Sequence, residues 1–332
     1  MKIASIIAEY NPFHRGHAYQ INKIKEDYTD FIVVIMSGSF VQRGEPAIIN
    51  KYERARVAID NGASLVLELP LPYATSNAEF FSLGAVNILN SMGIVDRLYF
   101  GSEDDVEVLR SLQEKINKNF DEEKLKKYLS EGKSFIRSRE LAMDFLSPGE
   151  KEILKKPNNI LGLEYLKSLE KLNSSIEAYS IKRKNVNHDD DFSLDGFASA
   201  SHIRRLAYEG EDVSDFLPSY DLVVENKLEN YFEIFKYKMV SEKINFKDYF
   251  DYEEGLENRI LENLDAKNFK DLIEKVHSKR HSRSRIKRLI IEILLDIKKD
   301  LIKNSLKEPY TRVLACDERG IEIFKKSKNK NR

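Results

Sequence analysis

Asn11-Pro12-Phe13-His14-Arg15-Gly16-His17 follows directly on residues 2–8, a short apolar run with the make-up of a buried strand. It leads into residues 17–27, where apolar positions recur at helical spacing. Pro12 fixes the turn out of the strand, and Asn11 is placed to cap the helix that follows. Gly16 permits close backbone approach. His14 and His17 lie three apart across the helix start, so both imidazoles can face one group. A helix N-terminus also offers free N–H groups and the positive end of the dipole, which suits a phosphate. The plainer alternative is a pair of surface histidines on an ordinary turn.

The same strand-then-helix pattern repeats. β-rich runs at 2–8, 31–36, 65–69 and 97–100 alternate with helical spacing at 17–27, 51–61 and 77–92. Such alternation predicts an α/β fold with a parallel sheet built from right-handed crossovers. Ligands then sit beyond the carboxyl ends of the strands. Segments 9–17, 37–46, 70–76 and 101–103 are expected to converge on that rim. Arg43 lies on it, either steadying an anion or paired with Glu45, and Gly101 closes the fourth strand.

Residues 105–155 read as helical and charged, and Pro157-Asn158-Asn159-Ile160-Leu161-Gly162 as a turn leading into a helix from Leu163. A further strand is expected at 176–181, ending at Lys182-Arg183, and a helix start at Ala198-Ser199-Ala200-Ser201. Past Asp221 the β-rich runs nearly vanish. Helical spacing dominates there, as in the run of Ile286, Ile290, Ile293, Ile297 and Leu301 at steps of three or four. The expected division is a parallel-sheet domain over 1–218, a mainly α-helical domain over 219–325, and a frayed tail over 326–332.

Composition fits an ordinary globular chain of 332 residues, with 54 basic against 55 acidic side chains. Cys316 is the single cysteine, which excludes an internal disulfide and a cysteine zinc cage. Residues 3–8 are too short for a signal peptide and Glu9 interrupts them, while no apolar run nears the roughly 18 residues of a membrane span. The expected compartment is the cytoplasm. Residues 277–288 hold six cations and no acid: Lys279, Arg280, Arg283, Arg285, Lys287 and Arg288. With Arg280, Arg283 and Lys287 on one helix side they would suit a nucleic-acid backbone, the alternative being a solvated helix face. His188-Asp189-Asp190-Asp191 reads as a solvated loop rather than a metal site.

His14-Arg15-Gly16-His17 resembles the His-x-Gly-His signature of the nucleotidyltransferase superfamily. The resemblance implies a Rossmann-like nucleotidyltransferase fold that binds ATP and breaks its α–β phosphate bond, with His14 and His17 on the phosphates. Ser199-Ala200-Ser201-His202-Ile203-Arg204 is similar to a second superfamily element, in which Ser199 and Ser201 would meet the outer phosphates; Ala200 departs from the usual serine. The lysine–serine/threonine pair of a P-loop is absent from both motifs.

Longer phrases are more specific. Ile7–His17, Met36–Pro46, Pro157–Gly162, His277–Arg280 with Arg283–Arg285, and Tyr310–Leu314 are similar to the bacterial tRNA(Met) cytidine acetate ligase family, from the first residue to about Gly320. That resemblance implies an enzyme that makes acetyladenylate from acetate and ATP, with Mg²⁺ as ATP counterion. It then acetylates N4 of the wobble cytidine of elongator tRNA(Met). The ATP site carries over onto Ile7, Ala8, Glu9, Tyr10, Asn11, Pro12, Phe13, His14, Arg15, Gly16, His17, Ala18, Tyr19 and Gln20, with Gly101, Arg183 and one of Asn158 or Asn159, Asn158 being favoured. Arg43 could hold a phosphate or the acetate carboxylate, and the basic 277–288 segment the tRNA backbone. Two other readings stand beside it: a small-molecule adenylyltransferase of the nicotinamide- or pantetheine-phosphate type, and a non-catalytic RNA-binding protein with a relic nucleotide pocket. No motif marks a general base for the cytosine amine.

Overall fold

The computed structural model describes residues 1–133, 135–182 and 196–330. The chain opens with β1 (Ala4–Ala8), α1 (Arg15–Asp27), β2 (Ile32–Ser37), a short ribbon of β3 (Phe40–Val41) and β4 (Glu45–Pro46), and α2 (Lys51–Asp60). It continues through β5 (Leu65–Leu69), α3 (Leu71–Ala74), α4 (Ala78–Met92) and β6 (Arg97–Ser102). Then come α5 (Val106–Asn119), α6 (Glu122–Ser130), α7 (Phe135–Ala142), α8 (Pro148–Ile153), α9 (Pro157–Lys171) and β7 (Glu177–Lys182). Strands β7, β6, β1, β2 and β5 lie side by side in that order, each pair parallel.

Period-two alternation sorts the strand residues between two cores. Ile3, Ile7, Val33, Ile35, Leu65 and Leu67 face α4 and α9. Ala4, Ile6, Ile32, Val34, Met36 and Val66 face the other way, toward Ile21 and Ile24 of α1 and Ala55 and Ala58 of α2. Both faces are covered, which is why these strands read as continuous apolar runs.

A mainly helical region follows: α10 (Ala200–Glu209), α11 (Phe232–Ser241), α12 (Leu256–Leu261), α13 (Phe269–Val276), α14 (Arg283–Leu295) and α15 (Lys299–Ser305), then β8 (Val313–Cys316) and α16 (Glu318–Lys330). Helices α11 to α14 bury a core of their own around Phe235, Phe269, Leu272, Ile286 and Ile290.

Four local expectations change. The 157–162 phrase is the first turn and a half of α9 rather than a turn before it, because Pro157 occupies the first helical position, where its missing N–H costs nothing. The run from Ile286 to Leu301 is two helices: Asp296 takes a left-handed φ of 54° and ends α14, so Ile297 joins the core of the sheet. Residues 313–316 do not stay with the helical region but pair antiparallel with β5, forming the sheet's sixth strand. Residues 326–330 continue α16 instead of fraying. Ile323 of that helix is buried in the sheet core, and the Ser327 hydroxyl donates to Met92 O at 3.0 Å. A four-residue edge strand is too short to show alternation, and its partner lies some 250 residues earlier, so local pattern could not find it.

Arg54 fixes the rim geometry. Its guanidinium is fully buried and donates to the carbonyls of Glu9 (2.6 Å), Ser37 (3.1 Å), Ile49 (3.2 Å) and Gly38. Leucine there would leave these acceptors unpaired, each costing about 1–3 kcal/mol. Arg54→Leu should therefore lower the unfolding free energy by at least about 3 kcal/mol in denaturant titrations. A loss below about 1 kcal/mol would show that the carbonyls find other donors.

Candidate active site

A cavity of about 380 Å³ opens beyond the carboxyl ends of β1, β6 and β7. Its floor is Ile7, Ala8, Glu9, Tyr10 and Asn11 as the chain leaves β1, and His14, Gly16, His17, Tyr19 and Gln20 at the start of α1. Gln42 and Arg43 of the β3–β4 turn, Phe100 and Gly101 of β6, Asn158 of α9, Lys182 of β7, and Ala198 and Ala200 at the start of α10 also line it.

His14 is the N-cap of α1, the role the sequence suggested for Asn11. Its side-chain Nδ1 accepts the Gly16 N–H at 3.0 Å, while His17 Nδ1 accepts the His14 N–H at 3.2 Å, a reciprocal capping box made of imidazoles. The two rings stack with centroids 3.8 Å apart. Since each Nδ1 is an acceptor, each ring's proton sits on Nε2, the nitrogen that can donate to a ligand oxygen. Gly16 follows from this: a Cβ there would lie 2.8 Å from His14 Cε1. Behind them, His17 packs on Tyr10 and Phe13 at 4.8 and 5.5 Å between ring centroids.

Asn11 faces the same space with 1% of its surface exposed. Its Oδ1 accepts the Ile48 N–H at 2.8 Å, which orients the amide and leaves Nδ2 buried with no hydrogen-bond partner among the described residues. A buried orphan donor costs about 1–3 kcal/mol, so a ligand acceptor fits there. Tyr10 beside it holds a left-handed φ of 47°, rare for a bulky residue and typical of a strained functional turn.

Side chains that sequence reasoning missed hold this loop from outside. Arg204 Nη1 donates to Asn11 O at 2.7 Å and Tyr220 Oη to Phe13 O at 2.6 Å. Arg15, expected at the nucleotide, is exposed and donates from Nε to Leu217 O at 3.3 Å. Arg204 stood in the quoted serine motif, yet only its burial against Asn11 reveals the task; nothing local pointed to Arg54 or Tyr220. Pro12, Phe13, Arg15 and Ala18 are not among the cavity lining.

The other expected residues divide. Asn158 lines the cavity and donates to Glu103 Oε1 at 2.6 Å. Asn159 is buried in the scaffold: its Oδ1 accepts from Glu103 N and Asp104 N, and its Nδ2 donates to Asp104 and Ile153 O. Gly101 lies within β6, which runs on to Ser102. Arg43 is exposed, lines the cavity and makes no hydrogen bond or salt bridge among the described residues; Glu45 pairs with Lys287 and Arg204 instead. Ser199 caps α10 through His202 N and lies 3.0 Å from the Ser201 hydroxyl, and neither serine is among the cavity lining. Arg183 and the 188–191 acidic run lie outside the described residues.

In the basic segment most cations are already paired. Arg280 meets Glu253 at 2.8 Å, Arg283 meets Glu274 at 2.7 Å, Arg285 binds Glu253 and Lys287 binds Glu45. Arg288 is buried in a bidentate pair with Asp251, both bonds at 2.7 Å, so it cannot reach a nucleic acid. Arg280 precedes α14 instead of sharing a helix face with Arg283 and Lys287. Lys279, Arg280 and Arg283 are the exposed members, and exposed ion pairs exchange partners at little cost.

A family model described as HIGH Nucleotidyl Transferase matches residues 1–332. The tRNA(Met) cytidine acetate ligase of Caldicellulosiruptor saccharolyticus is 41% identical, covering 99% of this chain and 86% of its own. That of Clostridium novyi is 40% identical, covering 100% and 88%. This chain belongs to the tRNA(Met) cytidine acetate ligase family. A crystal structure of Thermotoga maritima TmcAL bound with alpha-thio ATP superposes with a TM-score of 0.87 at 33% identity, covering 99% of this chain and 84% of that one. The fold is accordingly a Rossmann-like nucleotidyltransferase sheet with a helical C-terminal region.

The two asparagines should separate by experiment. On the expectation that Asn158 meets the nucleotide, Asn158→Ala should raise the KM for ATP about tenfold with little change in unfolding midpoint. Asn159→Ala should instead cost about 2–4 kcal/mol of stability, since it strands several buried partners. The reverse pattern in denaturation and ATP titrations would exchange their roles.

Proposed function

We propose that this protein is an ATP-dependent ligase that converts acetate to acetyladenylate and acetylates N4 of the wobble cytidine of elongator tRNA(Met). The observation that carries the reading is the reciprocal imidazole cap, which sets two Nε2–H donors at a helix N-terminus in a cavity where Asn11 Nδ2 has no partner among the described residues. Acetate is a poor acyl donor until its oxygen carries a good leaving group. Attack of its carboxylate on the α-phosphate makes the mixed anhydride and expels pyrophosphate. Charge grows on non-bridging oxygens as this happens, and fixed donors stabilise it without reorganising. His14 and His17 supply them, with the free N–H groups and dipole of α1 behind. Arg43, which lines the cavity as Lys182 does, would hold the acetate carboxylate or a phosphate.

The helical region supports the RNA half of the reading. Its outward cations, Lys279, Arg280 and Arg283, lie on the unit that abuts the cavity's rim, since Gly44 of the β3–β4 turn sits so close to α14 that a Cβ would lie 2.5 Å from Arg288 N. Such a unit argues against a compact small-molecule adenylyltransferase, and family membership favours an active enzyme over a relic pocket. Among the described residues no group of His, Cys, Asp and Glu could cage a metal ion. Mg²⁺ would then arrive as the counterion of ATP, held chiefly by phosphate oxygens and water. No helix among the described residues is long and apolar enough to cross a membrane, consistent with a cytoplasmic enzyme.

Mass spectrometry of tRNA incubated with protein, ATP and labelled acetate tests the reading, a labelled N4-acetylcytidine at the wobble position being the expected product. His14→Ala and His17→Ala should each lower acetate-dependent ATP–pyrophosphate exchange about 10²–10³-fold. Undiminished exchange would end the phosphate assignment. For the RNA surface, charge reversal at Lys279 and Arg283 together should weaken tRNA binding. It should also make the log–log salt dependence shallower by about 2, near 0.9 per lost phosphate contact. An unaltered slope would mean that the backbone is held elsewhere.

A further inference from the structure

We propose that Glu9 is the general base of the second half-reaction, taking the proton from the cytidine amine as it attacks acetyladenylate. This rests on the acetate-ligase reading above. Among the described residues that line the cavity, Glu9 is the one carboxylate. Its Oε1 accepts the Gln42 N–H at 2.9 Å, which fixes the side chain, while its other oxygen takes no hydrogen bond among the described residues. The neighbouring acids are committed elsewhere: Glu45 to Lys287 and Arg204, Glu103 to Asn158 and Asn159, Glu68 to Lys51. The two histidines do not compete, because their Nδ1 atoms already accept backbone N–H groups and their Nε2 atoms are donors.

Position agrees with the role. Gln42 is part of the β3–β4 turn that abuts α14, so the carboxylate lies on the side of the cavity nearest the helical unit and its exposed cations. The step balances. The N4 lone pair forms a bond to the acetyl carbon, the carbon–oxygen bond to AMP breaks with its electron pair on AMP, and the N4 proton passes to Glu9 and then to water. Burial raises the Glu9 pKa above the ordinary carboxylate value, and Arg43, Arg204 and the Gln42 N–H oppose the rise while Glu45 adds to it. Arg54 and the Tyr165 phenol face the same carboxylate. A triphosphate alongside would push it further toward the neutral form. Departure of pyrophosphate lifts that pressure and so favours the ionised form in the second half-reaction.

The test supplies chemically prepared acetyladenylate and tRNA, which isolates acetyl transfer, and measures acetate-dependent ATP–pyrophosphate exchange in parallel. Glu9→Gln keeps an oxygen for Gln42 N–H. It should slow transfer about 10²–10⁴-fold, and at least tenfold more than it slows exchange. Wild-type transfer should rise with pH through the raised Glu9 pKa and then level off, whereas Glu9→Gln should be flat. Glu9→Asp, with the carboxylate set back by one methylene, should transfer slowly but retain the pH dependence. Transfer by Glu9→Gln at the wild-type rate, or with the wild-type pH profile, overturns the proposal. Equal losses in transfer and exchange do so too. Wild-type protein with no acetate-dependent exchange would instead overturn the ligase reading on which this rests.

Discussion

Three alternate carbonyls on the loop leaving β1 are each held by a side chain from elsewhere: Glu9 O by Arg54, Asn11 O by Arg204 and Phe13 O by Tyr220. The loop must leave a parallel strand, pass a left-handed Tyr10 and enter a helix within a few residues, with little regular hydrogen bonding of its own. Unpaired, those carbonyls would each be a buried acceptor costing about 1–3 kcal/mol. Paired, they place the backbone from which His14, His17 and Asn11 point. Burial pulls the Arg54 guanidinium down to about 10, still charged at neutral pH, and its charge is spread over carbonyl dipoles rather than spent on one carboxylate. The cost of burying that cation is met by a rigid rim.

Rigidity matters because electrostatic stabilisation works only when donors need not reorganise during the reaction. The histidine cap shows how this is reached with few residues. One pair of hydrogen bonds satisfies two orphan N–H groups of α1, sets both tautomers and aims both Nε2 atoms. Ala200 fits the same economy. It stands where the resembling superfamily element often has serine, yet Ser199 still caps α10, and that helix carries Arg204 into Asn11 O. The element therefore retains a structural reason to exist whatever its hydroxyls contribute to phosphate binding.

How much of this was legible in the sequence follows from the range of each interaction. The strand-turn-helix around His14 is local, as are the apolar strand runs, and both were visible as pattern. Asn11 as a cap was a reasonable reading of local chemistry, but its Oδ1 is committed to Ile48, 37 residues away, so His14 takes the role. Arg54, Tyr220 and β8 act across 45, 207 and some 250 residues, and no window reports such partners. Glu9 was named only as part of a phrase. That its neighbours are already paired, leaving it alone in the cavity, is a property of the assembled rim.

The basic segment shows the same limit from the other side. Six cations without an acid suggested a polyanion, and the count was right while its meaning was incomplete, because Glu253, Glu274, Asp251 and Glu45 come from other elements. The pairing does more than neutralise. Lys287 on α14 binds Glu45, Glu45 lies 3.6 Å from Arg204, and Arg204 holds Asn11 O. A continuous polar chain thus runs from α14 to the loop that carries Asn11, His14 and His17. Ion pairs set into such a chain fix register more than they add stability, since their desolvation offsets much of their attraction. Here the register they fix is that of the helical unit against the cavity mouth, which an RNA base entering between the two would have to match.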